Sequence, residues 1–126
     1  MDKIEKIYKL FIKANQRIST DSRNSNIKNS IFFGIKGPNF NGNQYAKYAI
    51  ENGAKYAVVD EMIDPNNNKI IQVHNTIETL QKLAMKHRKN WFTKGKYVIG
   101  ITGTNGKTTT KEILNSIMCS KFNICF

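Results

Sequence analysis

The six residues Gly103-Thr104-Asn105-Gly106-Lys107-Thr108 sit inside "VIGITGTNGKTTTKE", between an apolar stretch and a helical pattern. Two glycines, a lysine and a hydroxyl at this spacing suit phosphate chemistry. Glycines let backbone N–H groups turn toward one point, and the following helix N-terminus adds positive potential there. Lys107 would neutralise terminal phosphate charge and Thr108 would offer its hydroxyl to a Mg²⁺ ion. The common form G-x-x-x-x-G-K-[ST] is not met, because its first glycine would fall on Ile101. The loop is a shorter one. A glycine-rich turn with a chance lysine is the plain alternative, and the apolar run before it and the threonines Thr108, Thr109 and Thr110 after it count against that.

Such a loop must be carried by a strand and a helix, and the rest of the chain alternates between the two. Ile4, Ile7, Tyr8, Phe11 and Ala14 recur at helical spacing among lysines, which predicts an amphipathic helix. "IFFGI" (31–35) reads as a short buried strand and "KGPNFNGN" after it as a loop. Tyr45, Ala46, Ala49 and Ile50 form a second helical stripe that stops at Asn52-Gly53. "YAVVD" (56–60) and "IIQV" (70–73) predict two more strands. Asn75 or Thr76 can then cap a helix with Ile77, Leu80, Leu83, Ala84 and His87 on its apolar side. "NWFTKGK" interrupts the pattern and suggests a domain boundary near Lys94, dividing residues 1–93 from residues 94–126. The strand "YVIGIT" (97–102) and a helix from about Lys107 to Ser120 follow. The class is α/β.

Composition bounds the function. At 126 residues with 40% apolar content, the chain can build one core and the opening of a second domain. No apolar run approaches the roughly 20 residues of a membrane span. The N-terminus lacks the continuous apolar segment of a secretory signal, so the expected location is the cytoplasm. Cys119 and Cys125 lack partner ligands at metal-site spacing and are expected to be reduced thiols. The net charge of +11 raises nucleic-acid binding as a rival function, but the lysines are dispersed rather than blocked together. A polyanionic small molecule such as a nucleotide fits that surface as well.

Taken together, "GITGTNGKTTTKE", "STDSR" (19–23), "IFFGIKGPNFNG" (31–42), the A-x-x-x-G-A pattern running into "VVD" (49–60) and "LQKLA" (80–84) resemble the Mur ligases of peptidoglycan synthesis, in the family's order and over nearly the whole chain. Lys111-Glu112 and "FFGIKGPNFNG" resemble most the member that joins UDP-N-acetylmuramoyl-tripeptide to D-alanyl-D-alanine; the member that adds the third amino acid is the close alternative. Two departures stand out: Asn41 occupies a position where the family usually has aspartate, and Asn43 one where it usually has histidine.

The resemblance implies a small N-terminal α/β domain, residues 1–93, holding the UDP end of the substrate, followed by the first strand-loop-helix unit of a P-loop ATP-binding domain, residues 94–126. It implies a UDP-sugar site lined by Thr20, Asp21, Ser22, Arg23, Lys36, Gly37, Asn39, Phe40, Asn41 and Gly42. It implies an ATP site formed by Gly103, Thr104, Asn105, Gly106, Lys107, Thr108 and Thr109, with ATP and Mg²⁺ as cofactors. Lys107 and Thr108 would be the catalytic pair, and Thr108 the metal ligand. The implied reaction is amide formation through an acyl phosphate, in which positioning and charge stabilisation dominate. The remaining magnesium ligands and the amine-substrate domain would lie past Phe126. The chain is accordingly expected to be an N-terminal piece, inactive alone, of an enzyme that is monomeric when whole. On residues alone, "TDSR" also reads as a locally hydrogen-bonded turn and "KGPNFNG" as a solvent loop. A stand-alone UDP-sugar-binding module and a basic nucleic-acid-binding protein are the rivals from other classes.

Overall fold

The structure is a computed structural model that describes residues 2–23 and 25–124. It divides into two units, residues 1–94 and 95–126. In the first, helix α1 (Lys3–Lys13) begins where the Asp2 carboxylate accepts the Ile4 N–H at 3.3 Å. It ends where Asn15 and Gln16 turn left-handed, with φ of 55° and 58°. Four short strands follow: β1 (Ile18–Ser19), β2 (Ile31–Phe33), β5 (Tyr56–Val59) and β6 (Ile70–Gln72). They form one parallel sheet in the order β1-β2-β5-β6. Between β2 and β5 lie a hairpin of β3 (Lys36–Gly37) and β4 (Phe40–Asn41), a 3₁₀ turn (Gly42–Tyr45) and helix α2 (Ala46–Glu51). Helix α3 (Thr76–Phe92) closes the unit, its first turn capped by the Asn75 carboxamide oxygen, which accepts the Glu78 N–H at 2.9 Å.

Period-two alternation buries both faces of the sheet. Ile31, Phe33, Val58, Ile71 and Val73 point to the side covered by Ile7 and Phe11 of α1, by Ala14 just after it and by Leu83 of α3. Phe32, Ala57 and Val59 point to the opposite side, against Ala46 and Ala49 of α2. The alanines let α2 lie close to the sheet. A three-layer unit results, and because all four strands run parallel, their carboxyl ends open at one edge. In open α/β sheets that edge is where ligands bind.

Four expectations change. The run 36–43 is a hairpin and turn rather than an open loop, because Lys36 pairs with Asn41 and Gly37 with Phe40. The segment 97–102 is not a strand: apolar sequence supplies the propensity, but a strand needs a ladder partner. On α3 the buried positions are Thr76, Thr79 and Leu83, whereas Ile77 and Ala84 face solvent. Leu80 and Leu83 keep their predicted apolar contacts, while the buried places expected of Ile77 and Ala84 go to Thr76 and Thr79, whose hydroxyls find hydrogen-bond partners. Tyr45 is 40% exposed and lies in the 3₁₀ turn, not on a buried helical stripe.

In the second unit, helix α4 (Lys107–Met118) starts at Gly106 and buries none of its residues. Ile113 and Ile117, one turn apart, are exposed. Cys119 is an exposed free thiol; Cys125 lies outside the described residues. No described helix is long and apolar enough to cross a membrane.

Candidate functional site

Two places carry chemistry, one in each unit. In the first unit, the segments that follow β1, β2, β5 and β6 meet at the carboxyl edge of the sheet. After β1, Asp21 Oδ1 accepts the Arg23 N–H at 2.9 Å and the Arg23 Nε–H at 3.2 Å, and Ser19 Oγ donates to the Asp21 carbonyl at 2.8 Å. "TDSR" is thus a self-braced turn in which Ser22 is buried and Thr20 and Arg23 are exposed. The backbone N–H of Arg23, then its guanidinium, hold the Asp21 carboxyl below its usual range. Arg23 is in turn held above its ordinary value by Asp21 and, more weakly, by the phenols of Tyr45 and Tyr48.

After β2 comes the hairpin, which carries Lys36, Gly37, Asn39, Phe40 and Asn41 and leads into Gly42. Gly42 is required: a Cβ there would stand 2.5 Å from the Ile35 carbonyl oxygen and 2.7 Å from the Ile35 nitrogen. The Gly42 N–H donates to that same carbonyl at 3.0 Å, which closes the hairpin. Phe40 stacks on Tyr45, with ring centroids 5.3 Å apart and planes within 14° of parallel. Through Tyr45 the hairpin and the Arg23 turn share one neighbourhood.

A continuous polar chain ties these segments to the other two strands. Lys36 Nζ donates to Glu61 Oε1 at 2.8 Å, and Asn41 Nδ2 donates to Glu61 Oε2 at 2.9 Å. Asn41 Oδ1 accepts from the backbone N–H and the side-chain amide of Asn43, at 3.1 and 3.0 Å. Asn43, fully buried, donates its amide to Asp60 Oδ1 at 2.7 Å and accepts the Asp60 N–H at 3.0 Å. Asp60 Oδ2 accepts from the backbone N–H and the hydroxyl of Thr76, at 3.2 and 3.0 Å. Burial pushes the Asp60 carboxyl up, but hydrogen bonds from the Asn43 amide and from Thr76 outweigh it and leave Asp60 below its usual range. Glu61 is held low by Lys36 first and Asn41 second.

Sequence reasoning named Asn41 and Lys36 but missed Asn43, Asp60, Glu61 and Thr76 as members of this site. The one available signal was position: Asp60 and Glu61 directly follow a predicted strand, at the end where ligands bind in such sheets. The electrostatics also correct a simple picture. Arg23 and Lys36 are each already matched by a carboxylate, Asp21 and Glu61, so the +11 charge of the chain is not focused here. An anion arriving at this edge would exchange for those carboxylates or use loop N–H groups. A depression of about 440 Å³, lined by Lys28, Asn29, Glu51, Asn52 and Gly53, precedes β2 and β5 and so lies at the opposite edge.

In the second unit, Gly103 (φ 150°) and Gly106 (φ 76°) flank a bend at Thr104-Asn105. Gly106 is left-handed and directly precedes α4, so the loop leads into the helix N-terminus with no side chain capping it. The first-turn N–H groups are therefore left for an anion. Lys107 Nζ folds back onto the Gly103 carbonyl and lies 3.4 Å from that of Thr104. Thr108 and Thr109 are exposed, while the Thr110 hydroxyl donates to the Gly106 carbonyl at 2.8 Å. Ile99, Ile101, Lys107, Thr108 and Lys111 line a depression of about 300 Å³. Lys111 is a second cation at that depression, unassigned to the site by sequence. The donor set fits a polyphosphate. For magnesium it offers the Thr108 hydroxyl, in keeping with an ion that keeps several waters and binds phosphate oxygens. Among the described residues no three His, Cys, Asp or Glu side chains come together.

No family model matches the chain. Individual proteins do. It is 31% identical over 109 residues to the UDP-N-acetylmuramoyl-tripeptide–D-alanyl-D-alanine ligase of Bacillus subtilis, covering 85% of this chain and 23% of that protein. It is 39% identical over 107 residues to the UDP-N-acetylmuramoyl-L-alanyl-D-glutamate–2,6-diaminopimelate ligase of Clostridium tetani, covering 82% of this chain and 22% of that one. The MurF ligase of Thermotoga maritima, solved in complex with ADP, superposes with a TM-score of 0.68 at 28% identity over 96% of this chain and 25% of its own. MurF of Acinetobacter baumannii superposes at 0.74, with 28% identity over 92% of this chain and 28% of its own. The chain thus spans about a quarter of the proteins it matches. On its motifs, its fold and these likenesses, the chain belongs to the Mur ligase family.

Proposed function

We propose that this chain supplies the nucleotide-sugar-binding domain, residues 1–93, and the ATP phosphate loop, within residues 94–126, of a cytoplasmic ligase of peptidoglycan precursor synthesis. The reaction is ATP-dependent amide formation between UDP-N-acetylmuramoyl-tripeptide and D-alanyl-D-alanine, by way of an acyl phosphate. The observation that carries the reading is the association, in one chain, of the Gly103–Thr108 loop with a hairpin-bearing α/β unit, in a chain that superposes on MurF structures. ATP supplies the phosphoryl group that activates the substrate carboxylate.

The chain's own residues bind and orient. Lys107, which rests on the Gly103 carbonyl, would turn its ammonium to the terminal phosphates of ATP, and the N–H groups from Thr104 to Lys107 would cradle them. Thr108 would offer its hydroxyl to a magnesium ion, whose charge would offset that of the phosphates, and Thr109 would assist. In the first unit, the Thr20–Arg23 turn and the Lys36–Gly42 hairpin receive the UDP end, with Arg23 and Lys36 as the cations for the diphosphate.

A second reading within the family has its own support. The 39% identical Clostridium tetani protein and a 42% identical Aquifex aeolicus protein are both named as the 2,6-diaminopimelate ligase, whose substrate carries a dipeptide. Calorimetric titration with UDP-N-acetylmuramoyl-tripeptide and the corresponding dipeptide, alongside UMP, ATP and a short oligonucleotide, tests both. Tighter binding of the tripeptide form is expected. Preference for the dipeptide form supports the second reading, and oligonucleotide binding without UDP-sugar binding overturns both.

A further inference from the structure

Glu61 grips the hairpin twice. Its Oε1 takes the Lys36 ammonium and its Oε2 the Asn41 amide, so the first and last residues of the β3–β4 ladder hang on one carboxylate. The orientation of Asn41 is fixed from the other side. Its Oδ1 accepts two hydrogen bonds from Asn43, so its Nδ2 must point outward, toward Glu61. A carboxylate at position 41 would keep the Asn43 contacts but present an oxygen to Glu61 where 2.9 Å now separates a donor from an acceptor. Like charges at that separation repel.

We propose that Glu61 is a positioning residue for the nucleotide-sugar site, and that it works only because position 41 carries a neutral amide: the Asn41–Glu61 pair holds the β3–β4 hairpin, and Lys36 with it, in the posture that meets the ligand. This rests on the binding function proposed above. The geometry makes the pair reciprocal. In the double variant Asn41→Asp with Glu61→Gln, the aspartate accepts from Asn43 and from the new amide, and the glutamine oxygen accepts from Lys36. Every hydrogen bond is then retained with the charge moved from position 61 to position 41.

The experiment uses the 126-residue chain as wild type, Asn41→Asp, Glu61→Gln and the double variant. Two quantities are measured: the dissociation constant for UDP, and amide hydrogen exchange of the hairpin residues 36–42 without ligand. Asn41→Asp is expected to weaken UDP about fivefold, the scale of a partly exposed charged contact. Both single variants are expected to speed hairpin exchange, and the double variant to return both readouts to within about twofold of wild type. A thermal melt on each variant separates this from global unfolding, because neither residue belongs to the two apolar clusters. An Asn41→Asp variant that binds UDP like wild type, or a double variant no better than it, overturns the proposal. Wild type that fails to bind UDP overturns the binding function instead, and hairpin exchange in the four proteins still decides whether the pair is coupled.

Discussion

Asn43 and Asp60 grip each other at both ends: the Asn43 amide donates to Asp60 Oδ1 at 2.7 Å while its carbonyl oxygen accepts the Asp60 N–H at 3.0 Å. The contact joins the turn after the hairpin to the last residue before the β5–β6 link, and Asp60 passes the connection to the N-terminus of α3 through Thr76. One buried amide thereby sets the relative positions of three segments at the candidate ligand edge.

Replacing Asn43 by Leu keeps the number and branching of the side-chain heavy atoms but leaves the Asp60 N–H and one carboxylate oxygen without their partner. Unsatisfied groups of this kind cost about 1–3 kcal/mol each, more when charged. We expect Asn43→Leu to lower the unfolding free energy of the first unit by about 3 kcal/mol, read from urea unfolding followed by Trp91 fluorescence. A loss below about 1 kcal/mol would show that water replaces the amide and that the pair does not organise the edge.

Gly42→Ala probes a different constraint, steric rather than polar. The added methyl would meet Ile35 backbone atoms at 2.5 and 2.7 Å, and backbone cannot swing aside as a long side chain can. Overpacking of this kind costs about 1–3 kcal/mol. The hairpin carries most of the proposed sugar-nucleotide contacts, so UDP affinity is expected to fall more than global stability. Equal affinity in calorimetry would remove the hairpin from the binding surface.

How much of this was legible before the fold was known depends on the range of the interaction. The stripes Ile7-Phe11-Ala14 and Ala46-Ala49 and the strands around Phe32 and Val58 are local patterns, and the apolar clusters use them as read. The Asn75 cap is also local, three residues from the N–H it accepts. The Asn41–Glu61 and Asn43–Asp60 contacts span 20 and 17 residues, and nothing near either partner announces the other. The hairpin hid for another reason: Gly, Pro and Asn mark a turn, and two-residue strands are too short to show alternation. The run 97–102 erred in the opposite direction, since its β-propensity is genuine and pairing is a property of neighbours.

Acid should loosen the same edge. Asp60 and Glu61 sit below their ordinary values in the folded chain, Asp60 through Asn43 and Thr76 against the pull of burial, Glu61 through Lys36 and Asn41. A depressed carboxyl binds its proton less readily when folded than when unfolded. Its contribution is therefore complete above the unfolded value, about 4, and is lost as pH falls through the lower folded value. Stability of the first unit is expected to be level from about pH 7 to 5 and to drop below about pH 4. Lys36 and Lys86 are raised by Glu61 and Glu5, so their share is present below about 10.4 and lost above it. Chemical denaturation at fixed ionic strength across this range checks the shape; a profile flat to pH 2.5 contradicts it.

Lys107 offers the cleanest separation of binding from folding. It is exposed, lies outside both apolar clusters, and contacts only carbonyls of its own loop, Gly103 and Thr104, among the contacts described. Lys107→Met keeps the aliphatic stem and helix propensity while removing the ammonium, so helix content measured by circular dichroism should not change. If the loop holds a polyphosphate, losing the cation nearest the terminal phosphates should weaken ATP at least about tenfold, or about 1.4 kcal/mol. AMP, which lacks those phosphates, should lose little. That contrast distinguishes a phosphate-reading lysine from one that merely braces the turn: a bracing lysine would weaken both nucleotides alike and disturb the start of α4. Equal loss for ATP and AMP, with reduced helix content, would assign Lys107 to the turn and leave the loop without its principal cation.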